Sequence, residues 1–530
     1  MHPTQPREAL PMSTPSALTD YCNFIAGEFR PARSGEWLES VDPSTGRVWA
    51  RVPASDATDI DDAVTAARHA FPDWRATPPL RRAALLRRWA DAVLARSGEL
   101  AAVESRDNGR VLKETQGGDV PGGAMNIQYN ASLADKVTGD TIHLGGVPGS
   151  PPGGAGGAAG SVNFTVYEPY GVAGIIIPWN APLAMFFAKV SGALAAGNTV
   201  VVKPAEQACC SILAACELFT SLDLPPGLVN VVSGTGPSAG EALVDHPGVT
   251  KLDFTGSTAT GRRVIQRASA NLKNVSLELG GKSPNIVFDE ADLDAAVTGV
   301  AGGIYTGGAG QSCVAGSRVL IQDTVFDTFT DRLRAHAAAI RLGDPRDPAT
   351  DMGPIAFAGQ FDKVRGYLEL GLREGAKVLF GGRTGADALH AGAPPGTATD
   401  PALAGGYWVE PTLLTTTDNG LRICQEEIFG PVAVAIPFAT EEEAYAIAND
   451  TDYGLAAGAW TRSLDRAHRA IAALQAGTVW INTYRRLHWA VPFGGHKQSG
   501  NAPSNGVRGL GEWLTLKAAW VELGHGDSSR

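Results

Sequence analysis

The feature that most limits what this chain can fold into is an alternation that begins near residue 160. Short runs of β-branched and aliphatic residues, "YGVAGIIIP", "NTVVVKP", "GLVNVVSG", "VTKLDFTG" and "NVSLELGG", end in Gly or Pro. Between them lie "LAMFFAKVSGALAAG", "SILAACELFTSL", "SAGEALVDHPG" and "TATGRRVIQRASANL", all with helical spacing of apolar residues. Strands this apolar have no face to give to water, and a helix after each one is the signature of a mostly parallel sheet covered on both sides. A second alternation starts at "PNIVFDEADLDAAVTGVAGG" and runs through "SRVLIQDTVFDTFTDRLRAHAAAI" to "VAVAIPFATEEEAYAIAND" and "AGAWTRSLDRAHRAIAAL". The expected class is therefore α/β, with two doubly wound, mostly parallel-sheet domains meeting near residue 280. Upstream, "ATDIDDAVTAARHAFPDW" and "PLRRAALLRRWADAVLARSGELAAVESRD" read as amphipathic helices, the first capped between Ser55 and Thr58.

Composition narrows the function classes. A chain of 530 residues exceeds one ordinary core. A formal charge of -11 argues against a general nucleic-acid binder, which needs clustered Lys and Arg. No apolar run approaches the roughly 20 residues of a membrane span. The first 21 residues have no apolar signal core and read as a loose tail, so a soluble, cytoplasmic protein is expected. Six cysteines in such a length make no disulfide framework, and their spacing suits no zinc site, so no metal is expected. Cys209, Cys210 and Cys216 fall in one apolar helical pattern and read as small core residues. The stretches 144–160 and 390–406, rich in Gly, Pro and Ala, read as surface insertions.

Two kinds of local chemistry stand out. Cys313 sits in "GGAGQSCVAGSR" (307–318), among glycines and small polar residues, and on this stretch alone is either a reactive thiol or one parked in a turn. The usual phosphate signature is absent. Its nearest imitations are "GTGPSAG" (234–240) and "GSTATG" (256–261), each after a strand and opening a helix, where free amides favour an anion. Gly256 allows a tight turn there and Ser257 brings a hydroxyl. At the end of the strand "NTVVV", Lys203 and Glu206 lie three apart, where a carboxylate can accept from ribose hydroxyls; a solvated capping pair is the alternative.

Seven stretches in one order resolve these alternatives: "IIPWNAPL", "KPAEQ", "FTGSTATG", "LELGGKSP", "GQSCVAGSR", "EEIFGPV" and "PFGGHKQSG". Together they resemble the NAD(P)-dependent aldehyde dehydrogenase superfamily from about residue 22 to 521. The resemblance implies Cys313 as nucleophile, Glu278 as general base and Asn180 as oxyanion donor. Lys189 matches a lysine near the proton path, with a helix-surface ion pair as the other reading. For the cofactor it implies Lys203 and Glu206 at the adenosine ribose, Gly236 and Gly240 at the adenine, and Ser257 at the pyrophosphate. Glu427 and Phe429 match the nicotinamide end, with Gln360 and Lys363 beside it; Ile176, Trp179, Phe254, Gly256 and Leu279 complete that set. A carboxylate at 206 favours NAD over NADP, because it repels a 2′-phosphate.

Further expectations follow from the same resemblance. A Rossmann-like NAD-binding domain is expected over 22–136 and 163–280, a catalytic domain over 281–498, a connecting loop over 499–511, and an oligomerisation element from 137–162 with 512–523. A homodimer or homotetramer is implied. Ala181, Met185, Ala188, Ser312, Val314, Leu487 and Phe493 match the aldehyde tunnel, made roomier by the two alanines. Arg485 or Arg486 in "NTYRRLHW" is a candidate for a carboxylate or other polar tail, a semialdehyde for instance, against the alternative of a solvated loop pair. One departure stands out: Asn501, Ala502, Pro503 and Ser504 replace the usual segment after "SG", removing an expected Arg–Glu anchor. The change bears on loop order and subunit contact and leaves the assignment of nucleophile and base as it stands. A CoA-acylating enzyme would often lack Glu278, a non-catalytic cofactor binder would have lost Cys313, Glu278 or Asn180, and a thiol hydrolase would not need the clamp at Lys203, Glu206 and Glu427.

Overall fold

A computed structural model describes residues 18–143, 161–391 and 400–522. Most of the expected N-terminal tail, the stretch 144–160 and the middle of 390–406 lie outside the described residues. Two seven-stranded sheets carry the fold. In the first, five parallel strands lie in the order Asn274–Glu278, Lys251–Thr255, Val172–Ile177, Thr199–Pro204, Val229–Val231, and the hairpin Asn23–Ile25 with Glu28–Arg30 closes one edge. Every residue of Thr199–Pro204 is buried, which is why the run reads as continuously apolar rather than alternating. Along the chain the strands step outward from Val172–Ile177 to Val229–Val231, then cross to its other side at Lys251–Thr255. Such a reversal opens a crevice at the carboxyl ends of the strands.

The helix after Val172–Ile177 is Pro182–Ala196. Pro182 sits in its first turn, where a missing N–H costs nothing, and Gly197 at φ 100° ends it in the left-handed conformation. Twelve of its fifteen residues are buried, so it is a core helix and not an amphipathic one. Its Phe186 and Phe187 pack edge-on against Trp89 of the helix Pro79–Ala95. The helix Ala57–Ala76 starts on a capping box made by Asp56 and Asp59, within the expected window. Cys209, Cys210 and Cys216 are buried in the same core.

The second sheet runs Lys377–Phe380, Thr412–Thr415, Val432–Phe438, Arg318–Gln322, Pro284–Val287, Ala456–Trp460, Thr478–Ile481, all parallel except the first. A third, antiparallel sheet pairs Leu514–Glu522 with Ser161–Pro169 and places Thr141–Ile142 beside the latter. Its register puts Ile142, Tyr167, Leu516 and Trp520 on one face, and all four are exposed. Among the described residues no helix is long and apolar enough to cross a membrane.

Candidate active site

Glu278 ends the strand Asn274–Glu278, and its carbonyl accepts the Gly256 N–H at 3.1 Å. Asn180 lies in the short turn between Val172–Ile177 and the helix Pro182–Ala196, which carries Lys189. Cys313 comes in the loop between the helix Leu293–Ile304 and the strand Arg318–Gln322. These segments, distant in the chain, contribute side chains to one cavity of about 310 Å³ lined by Cys313, Asn180, Glu278 and Lys189. The glycines of "LELGG" allow the approach: a Cβ on Gly281 would run into the Cys313 carbonyl. The Asn180 amide donates to the Gln311 carbonyl at 2.9 Å. A primary amide has two N–H donors, so one stays available for an oxyanion.

The charges of the site are buried and paired. Lys189 is 7 % exposed, which corrects the surface ion-pair reading: the helix that bears it has no wet face at that position. Its ammonium lies 3.0 Å from Asp253, 3.4 Å from Glu278 Oε2 and 2.9 Å from Ser504 Oγ. Burial alone would lower its pKa, but Asp253 and Glu278 outweigh that and raise it. Glu278 Oε1 is buried with no hydrogen-bond partner among the described residues, while Oε2 accepts from Ser504 at 3.2 Å. The departure at 501–504 therefore reaches the Glu278 carboxylate through Ser504. Burial, followed by the negative charges of Glu278 and Glu427, pushes the Cys313 thiol up, with Arg485 pulling the other way.

The residues expected at the cofactor frame a second region. Lys203 and Glu206 pair at 2.8 Å at the end of Thr199–Pro204. Burial pushes the Glu206 carboxyl up, but the Lys203 ammonium outweighs it and the net shift is down, so the group is a carboxylate at neutral pH. A Cβ on Gly236 would meet nothing within 4 Å, so the space against that turn is open; Gly240 is buried behind it. Ser257 caps the helix Thr258–Ala268, accepting from Thr260 N–H at 3.2 Å. Phe254 and Leu279 are buried in one apolar cluster, with half-buried Ile176 packed on it. Trp179 packs edge-on against Phe429 and Phe357. Phe429 holds φ at +61°, strained for a bulky residue, and Gln360 fixes that turn by donating to the carbonyls of Ile428 and Phe429 at 2.9 and 2.8 Å. Glu427 Oε1 accepts the Gly281 N–H at 3.0 Å; burial pushes its carboxyl up, and that N–H and the Lys363 ammonium offset only part of the rise. Open space beside Gly236, an ionised carboxylate at a strand end and a capped helix start fit a dinucleotide's adenine, ribose and pyrophosphate.

The sequence profile described as "Aldehyde dehydrogenase family" matches residues 29–519. The chain belongs to the aldehyde dehydrogenase family. Among curated relatives, acetaldehyde dehydrogenase 2 of Cupriavidus necator is 43 % identical over 491 residues, covering 92 % of this chain and 91 % of the relative. Among solved structures, PnpE of Pseudomonas sp. WBC-3, in complex with nicotinamide adenine dinucleotide, superposes with a TM-score of 0.89 at 41 % identity, over 96 % of this chain and 98 % of that one. The NAD+ complex of aldehyde dehydrogenase from Bacillus cereus gives 0.87 at 40 % identity, over 95 and 97 %. The chain is an oxidoreductase of the aldehyde dehydrogenase (NAD+) class, and the expected α/β fold with two parallel sheets and a small antiparallel one is the fold of this family.

Of the residues expected at the aldehyde, Ala181, Met185, Ala188, Ser312, Val314, Arg485, Leu487 and Phe493 line the cavity. Arg486 does not: it is exposed, and its carbonyl accepts the Trp480 indole N–H at 3.0 Å. Arg485, at φ +57°, occupies room left by Gly307, where a Cβ would overlap its guanidinium. Family motifs do not point to Arg110, Asp119 or Asp253, yet all three line the cavity. Arg110 is held by Asp119 at 2.7 Å and Glu114 at 3.1 Å. Asp253 had a signal of its own, an acidic residue inside the apolar run "KLDF". Lys282, in "LELGGKSP", is likewise buried with no hydrogen-bond partner for its amine among the described residues, and burial pushes its pKa down to about 7.

Proposed function

We propose that this chain oxidises an aldehyde to a carboxylic acid with NAD, through covalent intermediates on Cys313. The observation that supports this best is the cavity shared by a thiol, a spare amide donor and a buried carboxylate with one free oxygen. The Cys313 thiolate adds to the carbonyl carbon, and the oxyanion of the thiohemiacetal takes hydrogen bonds from the Asn180 amide and the Cys313 backbone N–H. NAD, when bound, supplies the two-electron acceptor for oxidation of that adduct to a thioester. Glu278 then takes a proton from water, the resulting hydroxide adds to the thioester carbonyl, and the C–S bond breaks to release the acid and restore the thiolate. Lys189 steadies the charge of Glu278.

For the cofactor, Lys203 and Glu206 would hold the adenosine ribose, Gly236 and Gly240 would leave room for the adenine, and Ser257 would meet the pyrophosphate. Glu427, Phe429, Trp179, Gln360 and Lys363 would frame the nicotinamide end. The ionised Glu206 favours NAD over NADP. We assign 22–136 and 163–280 to cofactor binding, 281–498 to catalysis, 499–511 to a connection, and 137–162 with 512–523 to self-association as a homodimer or homotetramer. The exposed apolar face of Ile142, Tyr167, Leu516 and Trp520 supports that last assignment. All six cysteines are free, which suits a reducing cytoplasm. Arg485 on the cavity wall favours aldehydes with an anionic or polar tail.

The test is NADH formation across aliphatic, aromatic, amino and carboxylate-bearing aldehydes. Cys313→Ala should abolish it, and Glu278→Gln should give one turnover and a thioester on Cys313 visible by mass spectrometry. Absence of NADH with every aldehyde would refute the reading.

A further inference from the structure

The segment that departs from the family after "SG" is pinned to the base and to the cavity wall at once. Asn501 extends the edge strand: its side chain accepts from Leu277 N–H at 2.8 Å and donates to the Val275 carbonyl at 3.1 Å. Three residues on, Ser504 and Phe493 exchange two backbone hydrogen bonds, and Gly506 N–H reaches the Trp489 carbonyl at 2.8 Å. Between these anchors the Ser504 hydroxyl lies 2.9 Å from Lys189 Nζ and 3.2 Å from Glu278 Oε2. An ammonium is a donor only, so Ser504 must accept from Lys189, and its one proton must go to Glu278. That arrangement tethers Oε2 and leaves Oε1 without a hydrogen-bond partner among the described residues.

We propose that Ser504 is a positioning residue for the general base, its hydroxyl tethering Glu278 by Oε2 so that Oε1 takes the proton of the hydrolytic water. This rests on the roles proposed above for Cys313 and Glu278. The proton of water passes to Oε1, its oxygen adds to the thioester carbonyl, and the Cys313 sulfur departs as thiolate. Other charged groups facing Glu278 are Lys189 from the helix Pro182–Ala196, with Asp253 of the adjoining strand behind it, and the Cys313 thiol; Glu427, Lys251 and Glu512 lie further out. None of them offers a neutral hydroxyl that can replace Ser504.

The experiment uses p-nitrophenyl acetate, which acylates a thiol without any cofactor and so separates acylation from deacylation. In the unchanged protein a burst of nitrophenolate reports the Cys313 step, and the slower steady rate reports hydrolysis by way of Glu278. Ser504→Ala should keep the burst while its steady rate falls about tenfold, because Oε2 loses its tether and Oε1 is no longer held toward the thioester. Ser504→Thr, which restores a hydroxyl, should restore the steady rate. An unchanged steady rate in Ser504→Ala, or equal losses of burst and steady rate, overturns the proposal and leaves the role of Cys313 standing. No burst in the unchanged protein overturns the reading of Cys313, and the proposal with it.

Discussion

Replacing Arg485 tests the substrate assignment in quantitative terms. Its guanidinium lies on the cavity wall, and among the described residues it donates one hydrogen bond, to the Gly302 carbonyl at 3.3 Å. Of its five N–H donors, most are therefore free for a ligand. The surrounding field sets the size of the effect. Arg110 and Arg485 face Glu114 and Asp119, so the four groups sum to no net charge, and long-range attraction of an anion is weak. What remains is direct contact. A hydrogen bond to a charged group contributes about 1.5–3 kcal/mol, which is roughly 10–100-fold in kcat/KM. Arg485→Ala should thus reduce kcat/KM by about 10–100-fold for an aldehyde with a terminal carboxylate, and far less for a neutral aldehyde of equal length. The loss should fall mainly in KM, since a tail remote from the reacting carbon is held alike in ground and transition states. Arg485→Lys should retain part of the preference, as a point charge without the planar fork. Arg486→Ala, at an exposed position off the cavity wall, should leave both aldehydes unaffected. The assay is initial-rate NADH formation with the two aldehydes for all three variants. Equal losses on both, or none on the carboxylate, refute the reasoning.

Three other outcomes are expected. Glu206→Ser removes the carboxylate that repels a 2′-phosphate, so the ratio of kcat/KM for NAD to that for NADP should fall at least tenfold, by about 1.4 kcal/mol or more; an unchanged ratio would place the ribose elsewhere. Lys282, at about 7 in the folded protein and 10.5 as a free side chain, binds more protons in the unfolded chain between those values, so it makes stability rise with pH across that window. Lys282→Met should flatten the slope of unfolding free energy from pH 7 to 9 by about 1.4 kcal/mol per unit and stabilise the protein most near pH 7 and below, measured by urea unfolding; a slope equal to the original would show that this amine is not the source. Trp520, 68 % exposed on the small antiparallel sheet, should lie within the self-association surface, so Trp520→Asp should lower the mass found by light scattering, and an unchanged mass would exclude this face.

How much of this could be read from the sequence depends on what kind of contact each residue makes. Strands such as "NTVVVKP" and "VTKLDFTG" were legible because burial on both faces leaves no polar alternation, and the two parallel sheets followed. Cys313, Asn180 and Glu278 were legible only through the resemblance of seven ordered stretches; the structure adds why their neighbours are small, since a Cβ on Gly281 would meet the Cys313 carbonyl. The counter-charges were not. Lys189 offered two readings, near the proton path or in a helix-surface ion pair, and its partner Asp253 offered neither; the burial of the helix makes the lysine an interior ammonium paired with Asp253. Asp119 and Arg110 meet across a turn that carries no motif. Ser504 is the sharpest case, since its segment breaks the family pattern and looks like a loop change alone. A serine reaches Glu278 here because Asn501 and Phe493 hold the backbone at fixed points on either side, so the contact depends on one hydroxyl at one place rather than on a particular sequence around it. A pattern records elements that repeat or pack; a single polar contact made by a pinned loop leaves no periodic trace, and it becomes visible only when the two ends of the chain are brought together.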